Sequence, residues 1–281
     1  MIGTGGVDIP MKIRKLYAVL LTVAVICAGC VAPKGTAPSP SIAPSPSSAK
    51  LPVASPTDTP AATSLPELTP EDSTAAMSVE PEKLGPVDGF FYMELNDAMI
   101  QRITGISYPA DDTDAKIHYD DLRYIGLLYY DFKGNVKTGE LIVNKKLADE
   151  VMQIFYELYM AKYPFTSVRL VDDFGEPADD TSSMEANNTS SFNYRRVAGT
   201  KKLSLHSYGM AIDINPKINP YVKKGSVSPK NGTAYVDRSK EFAGKIDHQD
   251  LCYKLFTKSG WRWGGDWKTV KDYQHFDKDV R

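Results

Sequence analysis

Two short stretches near the C-terminus hold the side chains best suited to chemistry. Ser204 to Asp213 reads S-x-H-x-x-G-x-A-x-D, and Asp272 to Phe276 reads D-x-x-H-F. Together they offer two imidazoles, one carboxylate that can ligate and one to spare. A catalytic zinc takes three protein ligands from His and Asp/Glu and keeps a position open for water. An unligated carboxylate beside it can take a proton from that water. His206, Asp213 and His275 can fill the ligand positions, and Asp272 can be the base.

These residues need elements to place them. The spacing is not that of the H-E-x-x-H helix, in which both ligands share one helical face. Gly209 falls between His206 and Asp213, and Met210 to Ile214 is apolar apart from its one acid. That pattern predicts a strand entered through a turn, with Asp213 on one face and Ile212 and Ile214 on the other. A carboxylate inside an apolar strand must be paired or bound, because burying it alone is costly. A metal would satisfy it, and so would a backbone amide or an arginine; this motif alone does not choose between them.

Three further segments accompany the two motifs: Asp180 to Met184, Asn187 to Arg195, and Trp261 to Trp267 with its central Gly264-Gly265. In this order, the set resembles the VanY-like D-alanyl-D-alanine carboxypeptidases. That zinc peptidase family also includes the L-alanyl-D-glutamate endopeptidases of phage endolysins and bacterial wall hydrolases. The likeness runs from roughly residue 120 to the end. It implies zinc on His206, Asp213 and His275, with Asp272 as general base. It also implies that Arg195 binds substrate and polarises the scissile carbonyl, a role that suits a fixed guanidinium. A structural ion pair is the plainer role for Arg195, and Arg196 stands next to it. Ser204 is a candidate substrate-binding residue or simply part of a turn. The family often has Glu where Asp272 stands, so the base here is one methylene shorter. The resemblance implies cleavage of peptidoglycan stem peptides, with D-alanyl-D-alanine carboxypeptidase as the first expectation and L-alanyl-D-glutamate endopeptidase as the alternative. A non-catalytic wall- or metal-binding lipoprotein is the reading from another class; loss of Asp272 or Arg195 would have favoured it, and both are present.

The start of the chain suggests export. Lys12, Arg14 and Lys15 follow Met11, so translation from Met11 or from Met1 fits equally. Leu16 to Ile26 is an apolar run too short for a mature membrane span and of the size of a signal-peptide core. It ends in Cys27-Ala28-Gly29-Cys30, which resembles a lipobox, with Cys27 where an aliphatic residue is commoner. Residues 1–30 are therefore expected to be a lipoprotein signal with Cys30 acylated; an ordinary signal peptide is the alternative. Cys252 would then have no disulfide partner and reads as a small buried hydrophobe.

Residues 31–89 contain no aromatic side chain, and 12 of the 19 prolines lie between Pro33 and Pro86. Such a stretch buries too little apolar surface to offset its ordering entropy and reads as a disordered tether. As a coil it would reach about 40 Å, and as extended polyproline II more than about 150 Å. Residues 31–281 carry 30 basic and 34 acidic side chains without a basic run, which argues against nucleic acid. The expected partners are stem peptides and, through the N-terminal lipid, a bacterial membrane outside the cytoplasm; a monomer is expected.

Phe90-Phe91-Tyr92 opens a domain of residues 90–281, with 90–119 as a possible N-terminal extension. Pattern predicts a strand over 122–132, a turn at Lys133-Gly134-Asn135 and a short strand over 140–143. Asn144 can cap a helix over 145–162. Another strand is expected over 166–171 and another helix over 247–258. The irregular alternation predicts an α+β fold: a small, mostly antiparallel sheet carrying the zinc site, flanked by helices. His118 and His248 lie in Asp-rich settings and read as solvated. Trp261, Trp263 and Trp267 read as core before groove, and the Asn187/Asn188 sequons as chance.

Overall fold

The computed structural model describes residues 81–175 and 180–281. These fall in the second of two compact units, Thr69–Arg281. The expected signal segment with Cys30, and the expected tether up to residue 80, lie outside the described residues. None of the described helices is long and apolar enough to cross a membrane.

The fold is a mixture of helices and small, largely antiparallel sheets. Strands β1 (Lys83–Leu84), β2 (Phe91–Met93), β3 (Leu122–Tyr130) and β4 (Val136–Asn144) form an antiparallel sheet in that order. Helix α1 (Asp97–Ile103) lies between β2 and β3 in the chain. Folded structure thus begins before Phe90, where the sequence placed the end of the tether: Lys83 and Leu84 pair with Tyr92 and Phe91. Residues 91–93 belong to the same sheet as β3, so they are integral to the domain.

The hydrophobic pattern of β4 feeds two cores. Leu141 and Val143 join Ile125 and Leu127 against helix α2 (Ala148–Met160), whose Val151, Phe155 and Leu158 are buried. Ile142 points the other way, into a second cluster with Leu122, Tyr108 and Phe192. This is the period-two alternation of a strand buried on both faces.

Helix α2 starts at Ala148 rather than Lys145, after a turn in which Asn144 O accepts the Leu147 amide and Asn144 Oδ1 the Lys146 amide. Asn144 also anchors a distant turn. Its amide donates to Gly209 O at 2.8 Å and its Nδ2 to Tyr208 O at 3.1 Å. The end of β4 thereby fastens the turn that carries His206. Strand β5 (Ser167–Val168), shorter than expected, pairs in parallel with β6 (Asn188–Thr189). Helix α3 (Asp180–Glu185) precedes β6. Helix α4 runs Leu251–Lys258, shorter at its start than the pattern suggested, since the Asp250 carboxylate caps it by accepting the amides of Cys252 and Tyr253. Cys252 is fully buried and free.

Two further three-stranded antiparallel sheets hold the motifs. One is ordered β10 (Arg262–Trp263), β12 (His275–Asp277), β7 (Ala211–Asp213). The other is ordered β11 (Lys271–Asp272), β8 (Tyr221–Lys223), β9 (Ser226–Ser228). Ile212, Ile214 and Phe276 enter the main core, where Phe276 stacks on Phe256 of α4.

Gly209 closes the His206 turn with φ 63°, and a Cβ there would lie 2.5 Å from Asn144 N and 2.7 Å from Val143 C. The left-handed backbone alone costs a non-glycine residue about 1–2 kcal/mol, and the clash is with backbone that cannot swing away. Gly209→Ala is expected to lower stability by about 2 kcal/mol or more. A urea titration giving the wild-type midpoint would contradict this packing.

Candidate metal centre

His206 sits in a single 3-10 turn, Leu205–Tyr208, capped by Ser204, whose Oγ accepts the His206 amide at 3.3 Å. Asp213 ends β7, and His275 begins β12 directly opposite it in the antiparallel register. Because Ile212 and Phe276 are drawn into the core, the alternation turns Asp213, His275 and Asp277 to the other face. These three and His206 are all buried. The pairing of Ser190 with Asp213 on the far edge of β7 brings Ser191 beside His206.

Outer contacts fix both rings. His206 Nδ1 lies 2.6 Å from Ser191 O, and a carbonyl can only accept, so Nδ1 carries the proton and Nε2 the lone pair. His275 Nε2 lies 3.3 Å from Asp277 Oδ2, which leaves Nδ1 as its free donor atom. Asp277 is held in turn by Arg262, whose Nε donates to its Oδ1 at 2.7 Å. The two free nitrogens face each other at 3.3 Å, and Asp213 spans them, with Oδ1 3.0 Å from His275 Nδ1 and Oδ2 3.4 Å from His206 Nε2.

Two ring nitrogens and a carboxylate crowded together call for a positive charge among them, supplied by a proton on His275 or by a bound cation. A tetrahedral zinc with bonds of about 2.0–2.1 Å has ligand-to-ligand edges of roughly 3.3 Å, close to the separations seen. The N, N, O donor set and the outer-shell partners also suit that ion. The three residues fit a metal, with their candidate ligand atoms all within 4.8 Å of one another. They form the one His/Cys/Asp/Glu group suited to a metal among the described residues.

The electrostatics agree. Burial pushes the Asp213 carboxyl up, but the imidazoles, His206 foremost, outweigh it and hold Asp213 well below the usual carboxylate range. Burial pushes His275 down, yet Asp213 and Asp277 raise it to about 10. The site is thus built to hold a positive charge.

Asp272 lies in β11, three residues before His275, and is not among the grouped ligands. Gly264 makes room for it, since a Cβ there would fall 2.6 Å from Asp272 O and 2.8 Å from its Cβ. The residue is half-buried, but Oδ1 is shielded from solvent and has no hydrogen-bond partner among the described residues. Burial pushes its carboxyl up to about 7, with His275 pulling against this and Asp213 adding to it. A cation among the ligands would draw that value down.

The remaining sequence candidates are near but differently engaged. Arg195 is tied to the His206 turn through its backbone, which exchanges hydrogen bonds with the Ser207 hydroxyl at 3.0 and 2.7 Å. Its guanidinium forms an ion pair with Asp180 of α3 at 2.6 Å. Trp261 and Trp263 are core residues, while Trp267 is half-buried with its ring 5.3 Å from that of His275. His118 and His248 are exposed, His248 bonding Asp266 at 2.7 Å. Sequence reasoning missed Ser191, which acts through its backbone and left no signal. It also missed Asp277, whose place two residues beyond His275 was the available clue.

Residues 198–278 match the model of a family described as D-alanyl-D-alanine carboxypeptidase. The span takes in Ser204, His206, Asp213, Asp272 and His275 and stops short of Asp180 and Arg195. The match supports a peptidase. No curated protein and no solved structure matches the chain.

One metal ion per domain is expected, and His206→Ala, Asp213→Ala and His275→Ala should each lose most of it and melt lower. Asp277→Asn, which leaves the three ligands in place, should weaken binding about 10–100-fold. Elemental analysis and competition with a chromogenic chelator measure both. Full occupancy in His275→Ala would remove that residue from the ligand set.

Proposed function

We propose that this chain is a zinc-dependent peptidase that removes the terminal residue of D-Ala-D-Ala from peptidoglycan stem peptides. The observation that carries the reading is the triangle of His206 Nε2, Asp213 and His275 Nδ1, with each ring held from behind. The family match over the same residues supports the substrate class.

His206, Asp213 and His275 would hold the zinc. Bound there, it supplies a Lewis acid that makes a water nucleophilic at neutral pH and polarises a carbonyl. Asp272 takes the proton from the attacking water and later delivers it to the leaving amine, so that one carboxylate serves as base and then as acid. Its partial burial suits this, because burial raises the carboxyl pKa toward the working pH, where one group can both take and return a proton. Arg195, pinned at Nη2 by Asp180, steadies the oxyanion that develops on the scissile carbonyl. Ser204 accepts the His206 amide and keeps its own hydroxyl proton for a substrate acceptor.

The test uses a synthetic stem peptide ending in D-Ala-D-Ala, with zinc content measured on the same preparations. Asp272→Asn should retain the metal and lose cleavage by about 100-fold or more. The wild type should lose rate as acid protonates Asp272, at a pH below 7 because the cation lowers its pKa; the residual activity of Asp272→Asn should not share that acid limb. Arg195→Ala should also keep the metal while cleavage falls. Wild-type rates in Asp272→Asn would overturn the mechanism, and loss of its metal would make Asp272 a ligand. Release of an L-Ala-terminated fragment instead of free D-Ala would reassign the cut to the L-Ala-D-Glu bond.

The basic, apolar, small-residue and cysteine order from Lys12 to Cys30 supports a lipid anchor outside the cytoplasm, with the Pro-rich stretch as its tether. The mature chain should begin at an acylated Cys30, and Cys30→Ala should lose the lipid. Intact-mass spectrometry showing an unmodified N-terminus downstream of Cys30 would overturn this.

A further inference from the structure

The segment joining β6 to the His206 turn is extended. The amides of Phe192 and Tyr194 donate to Ile142 O and Ser107 O, while those of Asn193 and Arg195 donate to His206 O and Ser207 Oγ. Successive amides therefore point alternately away from and toward the His206 turn, as in a strand. The side chains alternate as well: Phe192 and Tyr194 pack against Tyr108, with ring centroids 6.1 and 6.4 Å away, in the second hydrophobic cluster. Period two then places Asn193 and Arg195 together on the opposite face.

Both carry a donor that the fold does not use. Asn193 is 4% exposed, and its Nδ2 has no hydrogen-bond partner among the described residues; the same is true of the shielded Arg195 Nε. The guanidinium is not loose, since Asp180 holds Nη2 at 2.6 Å. Leaving buried N–H groups unpaired is costly, and native structures keep few of them. Five buried side-chain polar atoms lack a partner among the described residues, and four lie on Asn193, Arg195, Asp272 and Gln274, in the segments that carry the metal centre. Two unused donors on one face of an extended segment are complementary to an acceptor brought by a ligand.

We infer that Asn193 is a substrate-binding residue whose Nδ2, with Arg195 Nε, forms a two-donor subsite for a backbone carbonyl oxygen of the bound peptide. The inference rests on the peptidase reading above. A structural Asn193 would stabilise the fold through its amide. A substrate-binding Asn193 leaves its donor idle until peptide arrives, so the two roles differ in what removal of the amide does.

The experiment compares wild type, Asn193→Ala and Asn193→Asp, all zinc-loaded, for kcat/KM on the stem peptide, zinc content and Tm. Asn193→Ala should lose about 10-fold or more in kcat/KM, with zinc content and Tm as in wild type. Asn193→Asp keeps the size but turns a donor into an anionic acceptor, so it should lose more; it also serves if the alanine variant does not fold. Wild-type kcat/KM in either variant, or a loss that follows a lowered Tm, overturns the inference while wild-type cleavage leaves the peptidase reading intact. A zinc-loaded wild type that does not cleave overturns both.

Discussion

The pairing of Asp213 with His275 across two antiparallel strands is the contact on which the rest of the site depends. Directly opposed residues in such a ladder have side chains about 5 Å apart and pointing the same way. The register therefore delivers a carboxylate and an imidazole to one place without help from a loop. Ile212 and Phe276, the neighbours in the same register, enforce it from below. A slip of one residue would put Asp213 and His275 into the apolar core and expose two large hydrophobes. The hydrophobic effect, acting on residues with no chemistry of their own, thus sets the positions of two candidate ligands.

The third candidate ligand needs a different device, because His206 comes from a turn. That turn is fastened at several points: by the cap from Ser204, by the left-handed Gly209 pressed against β4, and by Asn144. The Ser191 carbonyl then sets the ring's tautomer. On the other side, Asp277 and Arg262 do the same for His275. Both imidazoles are oriented before any ligand arrives, which is what a tight, selective site requires. The cost is a cluster of buried polar groups that a purely structural domain would avoid, and a bound cation and substrate are what would repay it.

The parts of this arrangement legible in the sequence were those set by local pattern. Apolar residues on either side of Asp213 marked the alternation of β7, and the run from Leu122 marked β3. The spacing of His206, Asp213 and His275 marked them as candidates, although only the resemblance favoured a metal over a hydrogen bond for Asp213. What pattern could not reveal depends on pairing between distant segments. Lys83 and Leu84 sit in a Pro-rich stretch and become a strand only because Phe91 and Tyr92 lie alongside. Asn144 reads as a helix cap, and its Oδ1 does accept a local amide, that of Lys146, but its Nδ2 also reaches Tyr208, 64 residues away in the chain. The place of Asp277 likewise follows from its sharing one face of β12 with His275.

On the proposal above, these three residues hold a metal for cutting stem peptides. The most direct measurement is the mass of purified muropeptides after incubation with the domain, first as isolated, then with a strong chelator, then with zinc restored. The account predicts loss of one terminal D-alanine, abolished by the chelator and recovered with zinc. Muropeptides left unchanged by zinc-loaded protein, or cut equally well in the presence of chelator, would contradict it.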